Sequence, residues 1–454
     1  MVPVNADFRL IHAGRTFAGT ELEDTRDPLC PFLAGLGLRP GMTLVCRSAR
    51  RELLARLLFL LPRMGCLFLP LDPDLPSSLS ARLVDAAGPH LFIDDSLVPQ
   101  PLPPGGRELA FQPLTARDPA LLLATSGTTG EPRLVELTGA NLESSVRASC
   151  GFLDLGAADC WLACLPLHHV GGLSVLLRAA WRGATAVLME RFSVQELTRL
   201  LHEHEVSHLS LVPAMLHRLL AEDCSPPSSL RVVLLGGAPA RQSLVARAMD
   251  RGWPVCPSYG LTEAASQVAT VYPPDRRWQA GLAGRCLPHV ELKLEAPEGR
   301  ICLRGSSIAR WYRDGRGERR LLQDARGWLH TGDAGWLDDR GRLHVKGRLD
   351  DMLISGGENI HPAMVEAVFQ NCPGVEEAAL TALDDPRWGD ALVLLYRGQA
   401  SSGEVHAWAR QHLQAAHLPR HFLRVNRLPR NSMGKLLRRE LRHLARAGIQ
   451  SVHA

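Results

Sequence analysis

Short apolar runs alternate with amphipathic helical patterns along most of the chain. Residues 42–46 and 66–71 are apolar runs of strand length, and residues 51–64 between them repeat apolar positions with a helical period. This order predicts a βαβ unit. Further strand-length runs follow at residues 120–124, 207–212 and 232–235. The alternation predicts an α/β fold.

The pattern changes near residues 347–351, where a short charged segment, Gly-Arg-Leu-Asp-Asp, interrupts it. The residues that follow have their own alternation of helix and strand, and 454 residues are too many for one ordinary core. We therefore expect a large N-terminal domain, residues 1–347, and a small α+β C-terminal domain, residues 351–454. The Pro- and Gly-rich residues 101–106 predict a surface connection.

Composition excludes several classes of protein. With 46% hydrophobic and 22% charged residues the chain is neither disordered nor a polytopic membrane protein, and a formal charge of +4 gives no indication of nucleic acid binding. Eleven cysteines without C-x-x-C pairs favour buried, reduced thiols over disulfides. Residues 1–15 lack the pattern of a signal peptide, so we expect a cytoplasmic protein.

The loop after the strand at 120–124 can bind phosphate. Ser126, Gly127, Thr128, Thr129 and Gly130 combine hydroxyl donors with glycines that let backbone N–H groups approach an anion. The pattern is not that of a Walker A loop. An ordinary polar turn uses the same residues, so the loop alone leaves both interpretations open.

Two further segments offer groups for a nucleotide. Tyr259 and Gly260 precede Thr262 and Glu263, which places an aromatic face for a purine, a hydroxyl for a phosphate and a carboxylate for Mg²⁺ close together. The alternative is a strand ending at a helix cap, with Thr262 as the cap. Asp333, after a glycine, can accept hydrogen bonds from both hydroxyls of a ribose; the alternative there is a tight turn.

Three side chains stand out for other reasons. Lys435 is one of only three lysines in an arginine-rich chain, which favours a role for a compact ammonium. Arg178 is a lone charge in an apolar helical stretch, so either an acidic side chain or a substrate carboxylate should pair with it. The H-E-x-x-H match at residues 204–208 is a chance match, because the helix from Val194 should end before His208.

In this order the motifs resemble those of the acyl-adenylate-forming superfamily of acyl-CoA ligases, adenylation domains and luciferases, over residues 41–440. The resemblance implies a multi-subdomain adenylation domain and a mobile C-terminal lid. It also implies a two-step reaction: a carboxylate attacks ATP to give acyl-AMP, and the thiol of CoA then displaces AMP. The small-molecule partners would be a carboxylic acid, ATP with Mg²⁺, and CoA; a homo-oligomer stays open.

The resemblance assigns roles to individual residues. Lys435 would join the carboxylate to the α-phosphate, Thr262 would contact that phosphate, and Glu263 would bind Mg²⁺. Asp350 would be the pivot of the lid, and Gly356 and Gly357 would meet the thiol. The remaining ATP contacts would come from Ser126, Gly127, Thr128, Thr129, Gly130, Arg133, Gly237, Ala238, Tyr259, Gly260, Asp333 and Arg348. The chain departs from the pattern at Arg133 and Leu134, where the family has lysine and glycine.

Within the superfamily, three stretches resemble the o-succinylbenzoate-CoA ligase branch of menaquinone synthesis: residues 166–174, 234–240 and 262–268. On this basis the acid-binding residues would be His169, Ser174, Arg178, Ser266 and Gln267. Alternatives are a ligase of another aryl or acyl acid, an adenylating enzyme that loads carrier-protein pantetheine, and a catalytically silent binding protein. Lys435, Glu263 and Asp333 count against the last of these.

Overall fold

The computed structural model describes residues 2–98, 111–126, 132–355, 358–385, 389–430 and 436–452. The predicted connection at 101–106 lies outside them. The helices are α1 (Gly19–Leu22), α2 (Leu29–Gly35), α3 (Arg51–Arg63), α4 (Ser77–Ala86), α5 (Gly139–Phe152), α6 (Val170–Arg182), α7 (Val194–Glu203), α8 (Pro213–Ala221), α9 (Gln242–Asp250), α10 (Pro362–Phe369), α11 (Ser402–His412) and α12 (Arg438–Val452).

The first strands are β1 (Arg9–His12), β2 (Arg15–Ala18), β3 (Thr43–Arg47), β4 (Leu67–Leu71), β5 (His90–Asp94), β6 (Pro119–Ser126), β7 (Pro132–Thr138), β8 (Cys160–Ala163), β9 (Thr185–Leu188), β10 (His208–Leu211), β11 (Val232–Leu235) and β12 (Val255–Leu261). They are followed by β13 (Ser266–Thr270), β14 (Leu282–Cys286), β15 (Val290–Glu295), β16 (Arg300–Gly305), β17 (Trp311–Arg313), β18 (Arg319–Leu321), β19 (Leu329–Leu337), β20 (Leu343–Arg348), β21 (Leu353–Ser355), β22 (Glu358–Ile360), β23 (Val375–Asp385), β24 (Gly389–Gly398) and β25 (His421–Arg424).

These strands form three sheets. The largest has the order β15-β16-β19-β20-β14-β13-β12-β11-β10-β8-β9-β1-β2, and the second has the order β18-β17-β7-β6-β4-β3-β5. Strands β8 to β12 of the large sheet pair in parallel, whereas β12 to β16 with β19 and β20 pair antiparallel. The third sheet, β22-β21-β24-β23 with β25 beside β24, contains only strands that follow Arg348.

Helices fill the space between the first two sheets and cover their outer faces. One apolar cluster joins α3, α5 and α6 to residues of both sheets, which places these helices in the shared layer. A second cluster packs α7, α8 and α9 on the other face of the large sheet, and a third packs α4 on the second sheet. The predicted α/β fold is confirmed.

The elements that the sequence patterns named agree with the structure to within about two residues. The predicted βαβ unit is β3, α3 and β4, whose strands pair in parallel, and the run at 232–235 coincides with β11. Helix α7 ends at Glu203 and His208 begins β10, so the two histidines of the H-E-x-x-H match lie on different elements, as predicted. All eleven cysteines are free, and nine of them are buried.

Local capping explains where α5 begins and where α6 ends, the two helices nearest the candidate site. Thr138 accepts a hydrogen bond from the N–H of Asn141 at 3.2 Å, so α5 begins with a capping box directly after β7. Helix α6 ends at Arg182, and the C-cap residue Gly183 has a φ of 72°, which suits glycine. Among the described residues, no helix is both long and apolar enough to cross a membrane.

Candidate active site

Strands β12, β19 and β20 bring the predicted nucleotide residues together. The hydroxyl of Tyr259 on β12 donates a 2.6 Å hydrogen bond to Oδ2 of Asp333 on β19. Asp333 pairs across the sheet with Arg348 of β20, whose Nη1 lies 3.5 Å from Asp333 Oδ1. Nη2 of Arg348 lies 3.2 Å from Oδ2 of Asp350. A phenol, a buried carboxylate and a guanidinium therefore form one polar group able to bind a ribose and its base.

Two glycines let the backbone come close at this group. A Cβ on Gly332 would lie 2.6 Å from Nη2 of Arg348 and 2.9 Å from Oδ2 of Asp350. A Cβ on Gly260 would lie 2.2 Å from the carbonyl oxygen of Ser266, where β12 and β13 shift register. The first clash would displace mobile side-chain ends, but the second would displace backbone. Gly260 is therefore needed for the fold of this segment.

Glu263 is suited to a divalent cation. It lies in a 3₁₀ turn, Thr262–Ala264, capped by Leu261 rather than by Thr262. Burial raises the pKa of its carboxyl group, partly offset by the nearby charges of Arg348 and Arg133. Within the described ranges the carboxylate forms no ion pair and no hydrogen bond with another side chain; its own backbone N–H is the one group that bonds to it. A half-buried carboxylate without a cationic partner fits an oxygen-preferring ion such as Mg²⁺.

The phosphate loop between β6 and β7 is described only at its ends. Gly127, Thr128, Thr129 and Gly130 lie outside the described residues, as does the side chain of Ser126. Arg133 pairs with Thr125 across the two strands, and its guanidinium lies 5.0 Å from the centre of the Tyr312 ring. Leu134, which adds bulk relative to the family pattern, is fully buried in the apolar cluster under α4. The bulk is thus absorbed by the core.

A second polar group surrounds the middle of α6. Nη2 of Arg178 donates to Oγ of Ser266 at 3.2 Å, and Ser266 Oγ donates to Ser174 Oγ at 3.3 Å. Ser266 has a φ of 110° and Ala265 a φ of 53°, so the chain takes an unfavourable backbone conformation where it meets Arg178. Three of the five predicted acid-binding residues are therefore in contact.

Arg178 is a buried cation without a buried anion. Its exposed fraction is 1%, and burial lowers its pKa to about 10. Its guanidinium carbon lies 5.3 Å from the centre of the Trp161 ring, and its Nε has no hydrogen-bond partner. Within the described parts of the chain no carboxylate lies within 4.0 Å of it, so the acidic side chain that the sequence left open is not found there. An unpaired buried charge is costly, which favours a ligand carboxylate.

The other two acid-binding predictions lie at the edges of this group. His169 caps α6, and burial lowers its pKa to about 4, so the ring is neutral at pH 7. Gln267 is buried, and its side-chain amide bonds to Ser149 and Thr270. In this arrangement Gln267 braces β13 against α5, and a direct contact with the acid stays a prediction.

The remaining predicted residues fall into three sets. Gly237 and Ala238 follow β11, and Gly237 has a φ of 80°. Asp350 lies in the connection between β20 and β21 with its side chain exposed. Lys435, Gly356 and Gly357 lie outside the described residues.

Sequence reasoning missed the residues that support the site from behind. Ser145 on α5 donates to the carbonyl oxygen of Ala265 at 2.8 Å, and Ser149 one turn later contacts Gln267. The sequence signal that could have identified them is the pair of serines four residues apart on the buried face of an amphipathic helix. His289, whose pKa burial lowers to about 4, also lies within the electrostatic influence of Arg178. No local pattern marks that residue.

The chain resembles known enzymes over most of its length. The profile of AMP-binding enzymes matches residues 4–313, and that of the AMP-binding enzyme C-terminal domain matches residues 364–435. The 2-succinylbenzoate–CoA ligase of Bacillus subtilis (strain 168) is 39% identical over 337 residues, 71% of this chain and 68% of that protein. The corresponding ligase of Bacillus velezensis is 39% identical over 346 residues, 74% of this chain and 71% of its own.

Solved structures agree with the sequence relatives. The o-succinylbenzoate CoA synthetase (MenE) of Bacillus subtilis in complex with the acyl-adenylate intermediate OSB-AMP superposes with a TM-score of 0.87 at 32% identity, covering 95% of this chain and 94% of that one. The same synthetase with ATP and a magnesium ion gives a TM-score of 0.86 at 31% identity, with 95% and 96% covered. The resemblance predicted from the motifs is confirmed.

Proposed function

Because the chain belongs to the AMP-binding enzyme family, we propose that it is an ATP-dependent acid–thiol ligase that forms o-succinylbenzoyl-CoA. The predicted ligase class agrees with the relatives, which act on 2-succinylbenzoate, and with the synthetase structures that hold OSB-AMP or ATP with magnesium. The reaction consumes ATP and CoA and releases pyrophosphate and AMP. It would supply an activated acid to menaquinone synthesis.

Arg178 is the observation that carries the choice of acid. The substrate has two carboxylates, and only one of them can be activated. The second needs a cationic partner, and Arg178 is a buried cation with Ser266 as its one polar side-chain contact in the described residues. Ser174 and Ser266 add hydroxyls beside it. A monocarboxylic acid would leave this guanidinium unpaired.

The nucleotide would bind across the polar group of β12, β19 and β20. Tyr259 would face the adenine, and Asp333 with Arg348 would take the ribose hydroxyls, in place of the contacts that these residues now make with one another. Glu263 would hold Mg²⁺, which when bound neutralises phosphate charge. The loop from Ser126 to Gly130 and Arg133 would hold the outer phosphates. Gly237 and Ala238 complete the proposed ATP-binding residues.

The first step joins two anions, so it needs a cation between them. Attack by one carboxylate oxygen on the α-phosphorus breaks the bond to the bridging oxygen of pyrophosphate. Lys435 would lower the repulsion between the two groups, and Thr262 would contact the same phosphate. In the second step the thiol of CoA attacks the acyl carbon, loses its proton and expels AMP.

The two steps require two arrangements of the chain. We propose that residues 1–347 form the adenylation domain and residues 351–454 the lid that carries Lys435, with Asp350 as the pivot and Gly356 and Gly357 near the thiol. The separate third sheet after Arg348 supports this division. Eleven free thiols support a cytoplasmic location.

The test is pyrophosphate release over a panel of acids. With ATP and Mg²⁺ we expect the fastest release with o-succinylbenzoate and much slower release with benzoate, and added CoA should yield the thioester and AMP. If acyl-AMP accumulates in the presence of CoA and only a holo carrier protein consumes it, the chain is not a CoA ligase. If no acid releases pyrophosphate, it is not an adenylating enzyme.

Substitution of Lys435 should separate the adenylation step from the thioester-forming step. Lys435→Ala should abolish acid-dependent pyrophosphate release but leave thioester formation from supplied acyl-AMP largely intact, because the ammonium serves only the first step. Lys293→Ala, on β15, is the control and should retain both activities. Equal loss of both half-reactions in Lys435→Ala would contradict the role given to this lysine.

A further inference from the structure

Three side chains with metal-binding atoms share one face of the sheet at β15, β16 and β19. Cys302 of β16 lies directly opposite His330 of β19 and, on its other side, opposite Lys293 of β15. Glu295 is two residues beyond Lys293 and therefore projects from the same face. The antiparallel register thus brings a carboxylate, a thiol and an imidazole together from three strands. None of them belongs to the proposed ligase site.

The distances among these atoms are within a few tenths of an ångström of those in a tetrahedral site. Cys302 Sγ lies 3.5 Å from His330 Nδ1 and 3.7 Å from Glu295 Oε2, and the nitrogen lies 3.0 Å from that oxygen. In a tetrahedral zinc site the corresponding ligand separations are roughly 3.4 to 3.6 Å, from the usual metal–ligand bond lengths and the tetrahedral angle. Shifts of a few tenths of an ångström would therefore bring the ligands to bonding distance.

The second nitrogen of His330 is held as it is in known metal sites. Nε2 lies 3.0 Å from Oδ2 of Asp324, and Oδ1 of Asp324 accepts from the backbone N–H groups of Arg326 and Trp328 at 2.8 and 2.9 Å. A carboxylate in this position fixes the Nε2–H tautomer and leaves the Nδ1 lone pair directed at the other two ligands. The histidine is thus oriented for a metal by a carboxylate that is itself fixed.

We propose that Glu295 Oε2, Cys302 Sγ and His330 Nδ1 bind one divalent transition-metal ion, Zn²⁺ by the chemistry of these ligands, with water in the fourth position. Binding releases the Cys302 thiol proton to solvent as the sulfur–metal bond forms. Lys293 does not block the site, because it faces the other oxygen, Glu295 Oε1, at 3.7 Å. The ion would join three strands at the end of the large sheet, one of which carries Asp333.

Cobalt titration of the full chain, after removal of bound metal with a chelator, tests the proposal. We expect one equivalent of Co²⁺ to produce a thiolate-to-cobalt charge-transfer band and tetrahedral d–d bands, and Zn²⁺ to displace the cobalt. Excess Mg²⁺ should not displace it, because Mg²⁺ prefers oxygen ligands. Zn²⁺ should also raise the melting temperature, since a ligand of the folded state stabilises it.

Matched variants identify the ligands. Cys302→Ser should lose the charge-transfer band, whereas Cys286→Ser, a half-buried thiol on β14, should keep it. Asp324→Asn changes no ligand and should weaken Co²⁺ binding by roughly 10- to 100-fold, as the loss of such a partner does elsewhere. The proposal is overturned if the wild type shows no charge-transfer band, or if Cys302→Ser binds Co²⁺ with the same spectrum and affinity. If His330 only forms its hydrogen bonds with Glu295 and Asp324, the first result is expected. Both tests are independent of ligase activity.

Discussion

At the scale of single residues, the charge of Arg178 should lower the stability of the fold and favour binding of the proposed substrate. A buried guanidinium that lacks a carboxylate partner in the described residues should reduce the stability of the free protein, but in the proposed function it would bind the second carboxylate of the substrate. Arg178→Met, which keeps bulk and removes charge, should therefore leave the melting temperature unchanged or raise it. The substitution should also lower kcat/KM for o-succinylbenzoate by roughly 10- to 100-fold, because that is the usual effect of losing a hydrogen bond to a charged group.

A paired buried arginine provides the control for this prediction. Arg56 lies 2.6 Å from Asp27 with both side chains largely buried, so Arg56→Met should lower the melting temperature and leave the acid preference unchanged. Thermal unfolding and steady-state kinetics with a diacid and a monoacid measure both effects. If Arg178→Met reduces the rate equally with both acids, or unfolds like Arg56→Met, Arg178 is a structural residue.

At the scale of elements, one buried histidine links three parts of the N-terminal fold. His12, the last residue of β1, lies 3.2 Å from Glu52 of α3 and also contacts Glu190, which follows β9. These two carboxylates raise the pKa of His12 to about 9. A raised pKa means that the protonated form stabilises the fold, so the contribution is complete below pH 6.5 and is lost as the pH rises through 9.

The wild type should lose more stability than His12→Gln between these pH values. The difference should stay below roughly 3 kcal/mol, the value from about 1.4 kcal/mol for each pH unit of pKa shift, because solvent screens the half-exposed Glu190. Urea unfolding at a series of pH values measures it. His202→Gln, at an exposed position on α7, should keep the wild-type pH dependence. Parallel curves for the wild type and His12→Gln would show that the cluster contributes nothing.

Helices and strands could be predicted where the hydrophobic pattern of a short segment is enough to define them. The run at residues 232–235 is β11, and the end of α7 before His208 follows from a change in period. The His12 cluster was not predictable, because its three members are far apart in the sequence and meet only through sheet order. The same holds for Cys302 and His330, which strand register places opposite each other. For the candidate site, the motifs marked the residues that we propose bind the nucleotide. The supporting Ser145 and Ser149 could not be recognised, because their role depends on how α5 packs against β13.

At the scale of the whole molecule, four residues connect the large sheet to the third sheet. Strand β20 ends at Arg348 and β21 begins at Leu353. The N–H of Leu349 donates to the carbonyl oxygen of Gly332 at 2.7 Å, and that of Met352 donates to Leu349 at 3.1 Å. Asp350 lies between these two anchored residues and is held by its side chain to Arg348. The proposed rotation of the lid about this connection would therefore require a change in the backbone of Asp350.

Proline at this position should separate the two half-reactions. It fixes φ near −65°, so Asp350→Pro should hold the lid in one arrangement. One half-reaction should be retained and the other should fall by roughly 100-fold or more, as expected when reacting groups are misplaced by about 1 Å. Pyrophosphate release and thioester formation from supplied acyl-AMP measure the two steps. Asp350→Ala, which loses the same carboxylate but keeps φ free, should retain both. If Asp350→Pro folds with an unchanged melting temperature and affects both steps alike, the connection is not a pivot, and one arrangement of the chain must serve both reactions.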